Sequence, residues 1–278
     1  MELSIVDIIV RLALGAGIGF FIGLTGIGGG VLVLPALTVI LGLPASVAVG
    51  TANLYAFFTK IFATYQHLKL KTIDLRLSLV FMLGAVPGTL AAALWINKTV
   101  NSATASPESI ADFQNFLRIF IASVVLISGI ILIANRLCSG RGGDQSDTPS
   151  VSDRLNHKPF LRKFMAVTAG VIVGGLIGAT SVGGGVLVVP MLMIVFGLSS
   201  SRTVGTSIFI AVVLTLTASL VYGKGSQMDY TSALTMLGGS ILCVRAGSRL
   251  AAKLPEKKLQ NLVIAVIILA AASMFAKG

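Results

Sequence analysis

One glycine-rich phrase occurs twice in this chain, and both copies sit inside long apolar runs. "GLTGIGGGVLVLP" fills Gly23 to Pro35, and "GATSVGGGVLVVP" fills Gly178 to Pro190, an offset of 155. The register extends beyond the phrase. Gly42-Leu43 falls on Gly197-Leu198, Val49-Gly50-Thr51 on Val204-Gly205-Thr206, and Asp74 on Asp229. Roughly half of positions 23–51 are identical in the second copy, without a gap, so the two halves read as structural repeats.

Apolar runs of about 18 or more residues recur along the chain, the mark of membrane spans. The 278 residues are 55% hydrophobic and 11% charged, with a mean hydropathy of +0.95. A soluble domain carries about 25% charge. The fold class is therefore an all-α membrane protein, a polytopic bundle with little room for a soluble domain. The net charge of +11 would suggest nucleic acid in a soluble protein. Here Lys and Arg cluster in short loops between apolar runs, as the positive-inside rule expects. The partner is the lipid bilayer, and no nucleic acid is expected. Cys138 and Cys243 show no metal or disulfide spacing and read as unpaired thiols. The first residues lack a signal-peptide pattern and read as the first span.

Each half reads as five hydrophobic elements, at about 5–24, 30–42, 46–67, 73–97 and 113–136, then about 160–179, 185–197, 201–222, 229–250 and 258–276. Residues 1–136 form a first transmembrane repeat and 160–278 a second. Between them lies a polar linker, 137–159, rich in Gly, Ser and Asp. The second element of each half is short. About 13 residues give roughly 20 Å, less than the roughly 30 Å hydrocarbon core. It either crosses as a broken span or re-enters. Crossing makes the repeats inverted; re-entry makes them parallel. With the linker inside, five-span counting also puts Lys69, Lys71, Arg76, Arg249, Lys253, Lys257 and Lys258 inside. Loop charge thus favours two five-element inverted-topology repeats, about ten transmembrane elements in a cell membrane, with a cytoplasmic linker and both termini outside.

Gly28, Gly29 and Gly30, like Gly183, Gly184 and Gly185, make a poor helix interior. Pro35 and Pro190 are suited to open a new helix at its first position. The expectation is a helix break in each half, the first helix stopping near Leu24 and restarting between Gly30 and Pro35, with free N–H groups beside a helix N-terminus, near mid-membrane where two inverted repeats meet. Such a break binds anions. Thr25 and Thr180 precede the glycines, and Thr51, Asn53, Thr206 and Ser207 offer hydroxyl or amide groups nearby. Asn53 falls on Ile208, so the site would be asymmetric. Lys60 and Arg245 lie inside apolar elements, and no Asp or Glu is central in any. Basic centres without acids point to a small anionic substrate. Arg11 and Arg202 read as interfacial, Asp74 and Asp229 as helix caps, and Trp95 and Tyr222 as aromatic-belt residues. His67 reads as interfacial, and Pro87 should kink its element.

These residues together resemble the sulfite exporter TauE/SafE family. The resemblance rests on "GIGGGVLVLPAL" and "SVGGGVLVVPML", on "VGTANL" and "VGTSIF", and on the duplicated layout. It implies a permease for sulfite, sulfoacetate or a related organosulfonate, with motif positions Gly28 to Gly30, Gly183 to Gly185, Thr51 and Thr206 carried over. An anion channel of the same architecture is the alternative. An enzyme is disfavoured, because no nucleophile stands at usable spacing from a base inside the spans. No cofactor or metal is expected. No intramembrane carboxylate nominates a carrier for a coupling ion, whether proton or sodium.

Overall fold

The computed structural model describes residues 5–25, 30–102, 106–139, 159–182, 188–251, 265, 268–269 and 272–274. All regular structure among these residues is helical. Helix α1 covers Ile5–Thr25, and α2 (Gly30–Pro35) runs on into a π-helical turn, Ala36–Ile40. Then come α3 (Ala45–Lys69), α4 (Leu75–Val100) and α5 (Pro107–Ser139). The second half supplies α6 (Pro159–Thr180), α7 (Val188–Ile194), α8 (Ser200–Lys224) and α9 (Tyr230–Ala251). Among the described residues, five stretches are long and apolar enough to cross a membrane: Ile5–Ile22, Leu75–Val100, Pro107–Ile127, Phe160–Thr180 and Ser201–Lys224. The linker and the last expected element lie mostly outside the described residues.

Local chemistry sets the helix ends. The Asp74 carboxylate accepts the Leu77 N–H at 3.0 Å, and the Asp229 carboxylate accepts that of Ser232 at 3.0 Å. Both aspartates are the expected N-caps. Each short element ends over a left-handed glycine, Gly42 and Gly197, both at φ +65°. Leu43 N bonds Leu37 O at 3.0 Å across the first, and Leu198 N bonds Leu192 O at 3.2 Å across the second. Glycine adopts that φ without a Cβ clash, which is why it stops a helix there. The first helix stops at Thr25 and a new one restarts at Gly30, within the expected bounds, though Pro35 is the last residue of α2 rather than its first. The missing Pro35 N–H removes one helical bond. The backbone just beyond it widens into the π turn, with Leu41 N bonded to Ala36 O at 3.1 Å.

Packing pairs the first long helix of each half with the fourth of the other. α1 lies along α9, and α6 lies along α4. Glycines make these approaches possible. On α1, Gly15 abuts the Met236 backbone and Gly19 that of Ser240. On α6, Gly170 abuts Phe81 and Gly174 abuts Ala85. These contacts are the same contacts shifted by 155. Equal steps along both partners show that each pair runs parallel. No Cβ fits at any of the four glycines, so helix backbones touch directly, as small residues allow in membrane bundles.

The equivalent helices α3 and α8 also pack together, but antiparallel. Gly50 at the start of α3 abuts Tyr222 and Gln227, beyond which α9 begins. Gly205 at the start of α8 abuts Thr72, just before α4. The bundle therefore has two ends. One, around Asp74, gathers the starts of α4, α6 and α8. The other, around Asp229, gathers the starts of α1, α3 and α9. A hydrogen bond ties each end across the halves. The Asp74 N–H donates to Thr206 Oγ1 at 3.0 Å, and the Asp229 N–H to Thr51 Oγ1 at 3.0 Å.

Large side chains such as Leu79, Leu83, Phe160, Ile172 and Leu242 are exposed on the outer surface, as lipid-facing positions are. Tyr222 is not one of them. It is fully buried and donates to Gly178 O at 2.9 Å, so it braces α8 against α6 rather than forming an aromatic belt. Trp95 does stand exposed, packed edge-on against Phe113 at 5.5 Å.

Adding a single methyl tests this packing. Gly15→Ala and Gly170→Ala should each destabilise the bundle by about 1–3 kcal/mol through overpacking. Gly17→Ala, where a Cβ meets nothing, should leave stability unchanged or slightly raised. Thermal unfolding in detergent distinguishes the three, and equal effects at Gly15 and Gly17 would refute the backbone contact.

Candidate functional site

The glycine phrases come together where they are described. Gly28, Gly29 and Gly183 to Gly185 lie outside the described residues. Gly30 is described, and its α-carbon faces the Ser181 carbonyl and the Val182 backbone, immediately before the second glycine run. Ser181 has a left-handed backbone, φ +54°, and takes the position that Gly26 holds in the first copy. Thr180 steadies this bend. Its hydroxyl donates to Leu176 O at 2.6 Å and accepts the Val182 N–H at 3.2 Å. Ser181 is buried, and its own hydroxyl has no hydrogen-bond partner.

The four hydroxyl and amide residues expected in one site are not gathered. Thr51 belongs to the Asp229 end and Thr206 to the Asp74 end. Because α3 and α8 run antiparallel, equivalent residues near their starts are carried to opposite ends. The Thr51 hydroxyl is also occupied on both sides, donating to Val47 O at 2.7 Å. Ser207 is buried and donates to Val204 O at 2.9 Å.

Asn53 differs. It is fully buried, its amide nitrogen donates to Val49 O at 3.0 Å, and its Oδ1 has no partner. Thr64, not singled out from the sequence, is buried with its hydroxyl equally unpartnered. Lys60 lies between them, half-buried, without an ion-pair partner among the described residues. Steps of seven and four put Asn53, Lys60 and Thr64 on one face of α3. That spacing was the available signal. Buried polar atoms are normally hydrogen-bonded, so such a stripe inside an apolar bundle calls for water or a ligand. Arg245 lies at a depth similar to Lys60, both one to two turns past the bond from Tyr55 to Ser240 Oγ at 2.7 Å. Its side chain is exposed on the outer surface of α9 rather than turned toward the stripe. Arg202 is likewise exposed, at the start of α8.

Arg11, read as interfacial, instead joins three helices. Its Nε donates to Ser232 Oγ at 2.8 Å, and the Ser232 hydroxyl donates to Asp229 Oδ2 at 2.6 Å. Asp229 in turn is tied to Thr51. The signal was Arg11 one turn before Gly15 and two before Gly19, on the face that meets α9. His67 is half-buried and paired through Nδ1 with the Thr72 hydroxyl at 2.8 Å. Two cavities flank these elements. A basic cleft of about 380 Å³ lies between the starts of α4 and α6, lined by Asp74, Arg76, Arg162 and Lys163. An apolar one of about 660 Å³ lies between α1 and the π turn.

Comparison with known proteins gives the family. The model of the family described as "Sulfite exporter TauE/SafE" matches residues 11–274. The chain belongs to the sulfite exporter TauE/SafE family. It is similar to the probable membrane transporter proteins YjnA and YunE of Bacillus subtilis (strain 168). It shares 27% identity with YjnA, covering 92% of this chain and 94% of that protein. With YunE it shares 25%, covering 97% and 98%. A probable membrane transporter protein of Haemophilus influenzae is 25% identical, covering 97% of this chain and 98% of that protein. No solved structure matches. The chain is thus a multi-pass membrane protein of a transporter family rather than an enzyme, with a small substrate and the bilayer as its partners.

The two end ties make a paired prediction. Thr51→Val and Thr206→Val should each cost about 1 kcal/mol, since each leaves a helix-start N–H without its acceptor. Their effects should add, because they sit at opposite ends with no shared partner. Chemical denaturation of the single and double variants measures this, and strong coupling would place the two threonines together.

Proposed function

We propose that this chain is a secondary transporter for a small sulfur-containing anion, such as sulfite, sulfoacetate or another organosulfonate. The observation that carries the reading is the stripe on α3 of Lys60, without an ion-pair partner among the described residues, the unpartnered Thr64 hydroxyl and the unpartnered Asn53 Oδ1. Lys60 supplies the counter-charge, the Thr64 hydroxyl donates a hydrogen bond, and Asn53 donates the second N–H of Nδ2 beside the one held by Val49 O, its Oδ1 accepting from water. In this reading the glycine runs, Gly28 to Gly30 and Gly183 to Gly185, add backbone N–H groups for the anion. The substrate class comes from the family, whose description names sulfite export. Arg245, exposed on the outer face, snorkels toward the interface instead of facing the cargo.

The proposed topology is a pair of inverted five-element repeats with ten crossing elements. The antiparallel course of α3 and α8 supports it, because repeats related by an axis along the membrane normal would run these helices parallel. Charge supports a cytoplasmic Asp74 end. Lys69, Lys71, Arg76, Arg162, Lys163, Arg202 and Arg249 lie on that side, against Arg11, Lys98 and Lys224 on the other. Alternating access then opens the Thr206–Asp74 and Thr51–Asp229 ties in turn, one end at a time.

Uptake of radiolabelled sulfite and sulfoacetate into proteoliposomes tests the reading. Lys60→Ala should lower flux by about tenfold or more, the worth of a charge-assisted hydrogen bond. Thr64→Val should weaken apparent affinity several-fold, and Arg245→Ala should stay within about twofold of the parent. Undiminished flux in Lys60→Ala would remove the charge assignment. Non-saturating conductance in a planar bilayer would favour a channel.

A further inference from the structure

The basic cleft at the Asp74 end shares Asp74 with the proposed gate, but its three cations, Arg76, Arg162 and Lys163, have no role in the proposed transport path. Arg76 stands in the first turn of α4, and Arg162 and Lys163 in the first turn of α6. Leu77, Val80 and Ala166 form its apolar wall, and Asp74 is its one acid among the described residues. The Asp74 carboxylate is engaged in capping α4 through the Leu77 N–H. Arg76 and Lys163 are exposed and have no ion-pair partner among the described residues.

The repeat supplies a control within the molecule. Shifting the cleft by 155 replaces Arg76 by Thr231, Arg162 by Asp7, Lys163 by Ile8, Leu77 by Ser232 and Ala166 by Arg11. The equivalent place between α1 and α9 thus holds two acids, Asp7 and Asp229, and one cation. That cation, Arg11, is bound through Ser232 to Asp229. The same backbone packing stands at both places, so the glycine contacts that join the helices do not depend on Arg76 or Lys163. The three cations are a feature of one end only.

We propose that this cleft binds the phosphate of an anionic phospholipid. Both helices enter the apolar layer at these residues, since their membrane-compatible stretches start at Leu75 and Phe160. Cations in that first turn stand at headgroup depth. Below them the outer surfaces carry Leu79 and Leu83 on α4 and Phe164 and Ile172 on α6, all exposed, a surface for acyl chains. A free oxyanion has no use for that apolar surface. A phosphate-bearing lipid uses the cations and the surface together, and basic pockets between transmembrane helices hold such headgroups.

The test uses the full chain in a neutral detergent, with phosphatidylglycerol and phosphatidylcholine of equal chain length as probes. Native mass spectrometry and thermal shift read binding. Retention of phosphatidylglycerol should exceed that of phosphatidylcholine by about tenfold or more. In the variant with Arg76→Gln, Arg162→Gln and Lys163→Gln, the preference should fall to about threefold or less, while Arg76→Lys with Lys163→Arg keeps it. Equal retention of the two lipids by the parent protein would overturn the proposal, even if the triple variant does not fold. So would a preference that survives in a folded triple variant. Equal stabilisation by millimolar inorganic phosphate or sulfite, in competition with the lipid, would mark a free-oxyanion site and overturn it too. None of these readouts depends on transport, so failure here is separable from failure of the flux assay.

Discussion

Direct backbone contact between α1 and α9, and between α4 and α6, is the constraint on which the rest of this bundle depends. In lipid there is no hydrophobic drive to press two helices together, so association rests on close packing. Here it is achieved by removing side chains. Gly15 and Gly19 on one pair, and Gly170 and Gly174 on the other, admit a neighbouring backbone where a methyl would collide. Because each pair joins opposite halves of the chain, the same contacts hold the repeats together. α3 and α8 are then set antiparallel between them, and their threonines reach the caps of α9 and α4.

A second constraint governs the hydroxyls. In an apolar bundle a Ser or Thr most often bonds a carbonyl in its own helix. Thr38, Thr59, Thr215, Thr217 and Ser219 all do so here. Against that background the exceptions stand out. The Asn53, Thr64 and Ser181 acceptors are buried and unpartnered, and two of the three share a face with Lys60. These are polar atoms that the helices themselves leave unused.

Much of this was legible in the sequence. The offset of 155, read from a glycine phrase, recurs in the caps Asp74 and Asp229, the turns at Gly42 and Gly197, and the glycine contacts of both helix pairs. Offsets of this kind survive because identical backbone demands select identical residues. What was not legible was the facing of side chains. A helix that is apolar all round gives no stripe to orient it. Tyr222 therefore passed for a belt residue, Arg11 for an interfacial one, and Arg245 for a cargo-facing charge. Thr51 and Thr206 looked like one site because they match in sequence. The antiparallel course of their helices, which no local pattern encodes, puts them at opposite ends.

The exchange of partners between halves also has a consequence for synthesis. α1 ends at Thr25 and is made long before its partner α9, which begins at Tyr230. At roughly 5–20 residues per second, the glycine face around Gly15 and Gly19 waits about ten to forty seconds for its mate. α4 and α6 are closer in the chain and can pair first. Biogenesis of this protein thus passes through a stage in which a finished central pair lies beside an unmatched first helix. Whatever lipid or insertion machinery shields that helix during the interval is part of how the fold is reached.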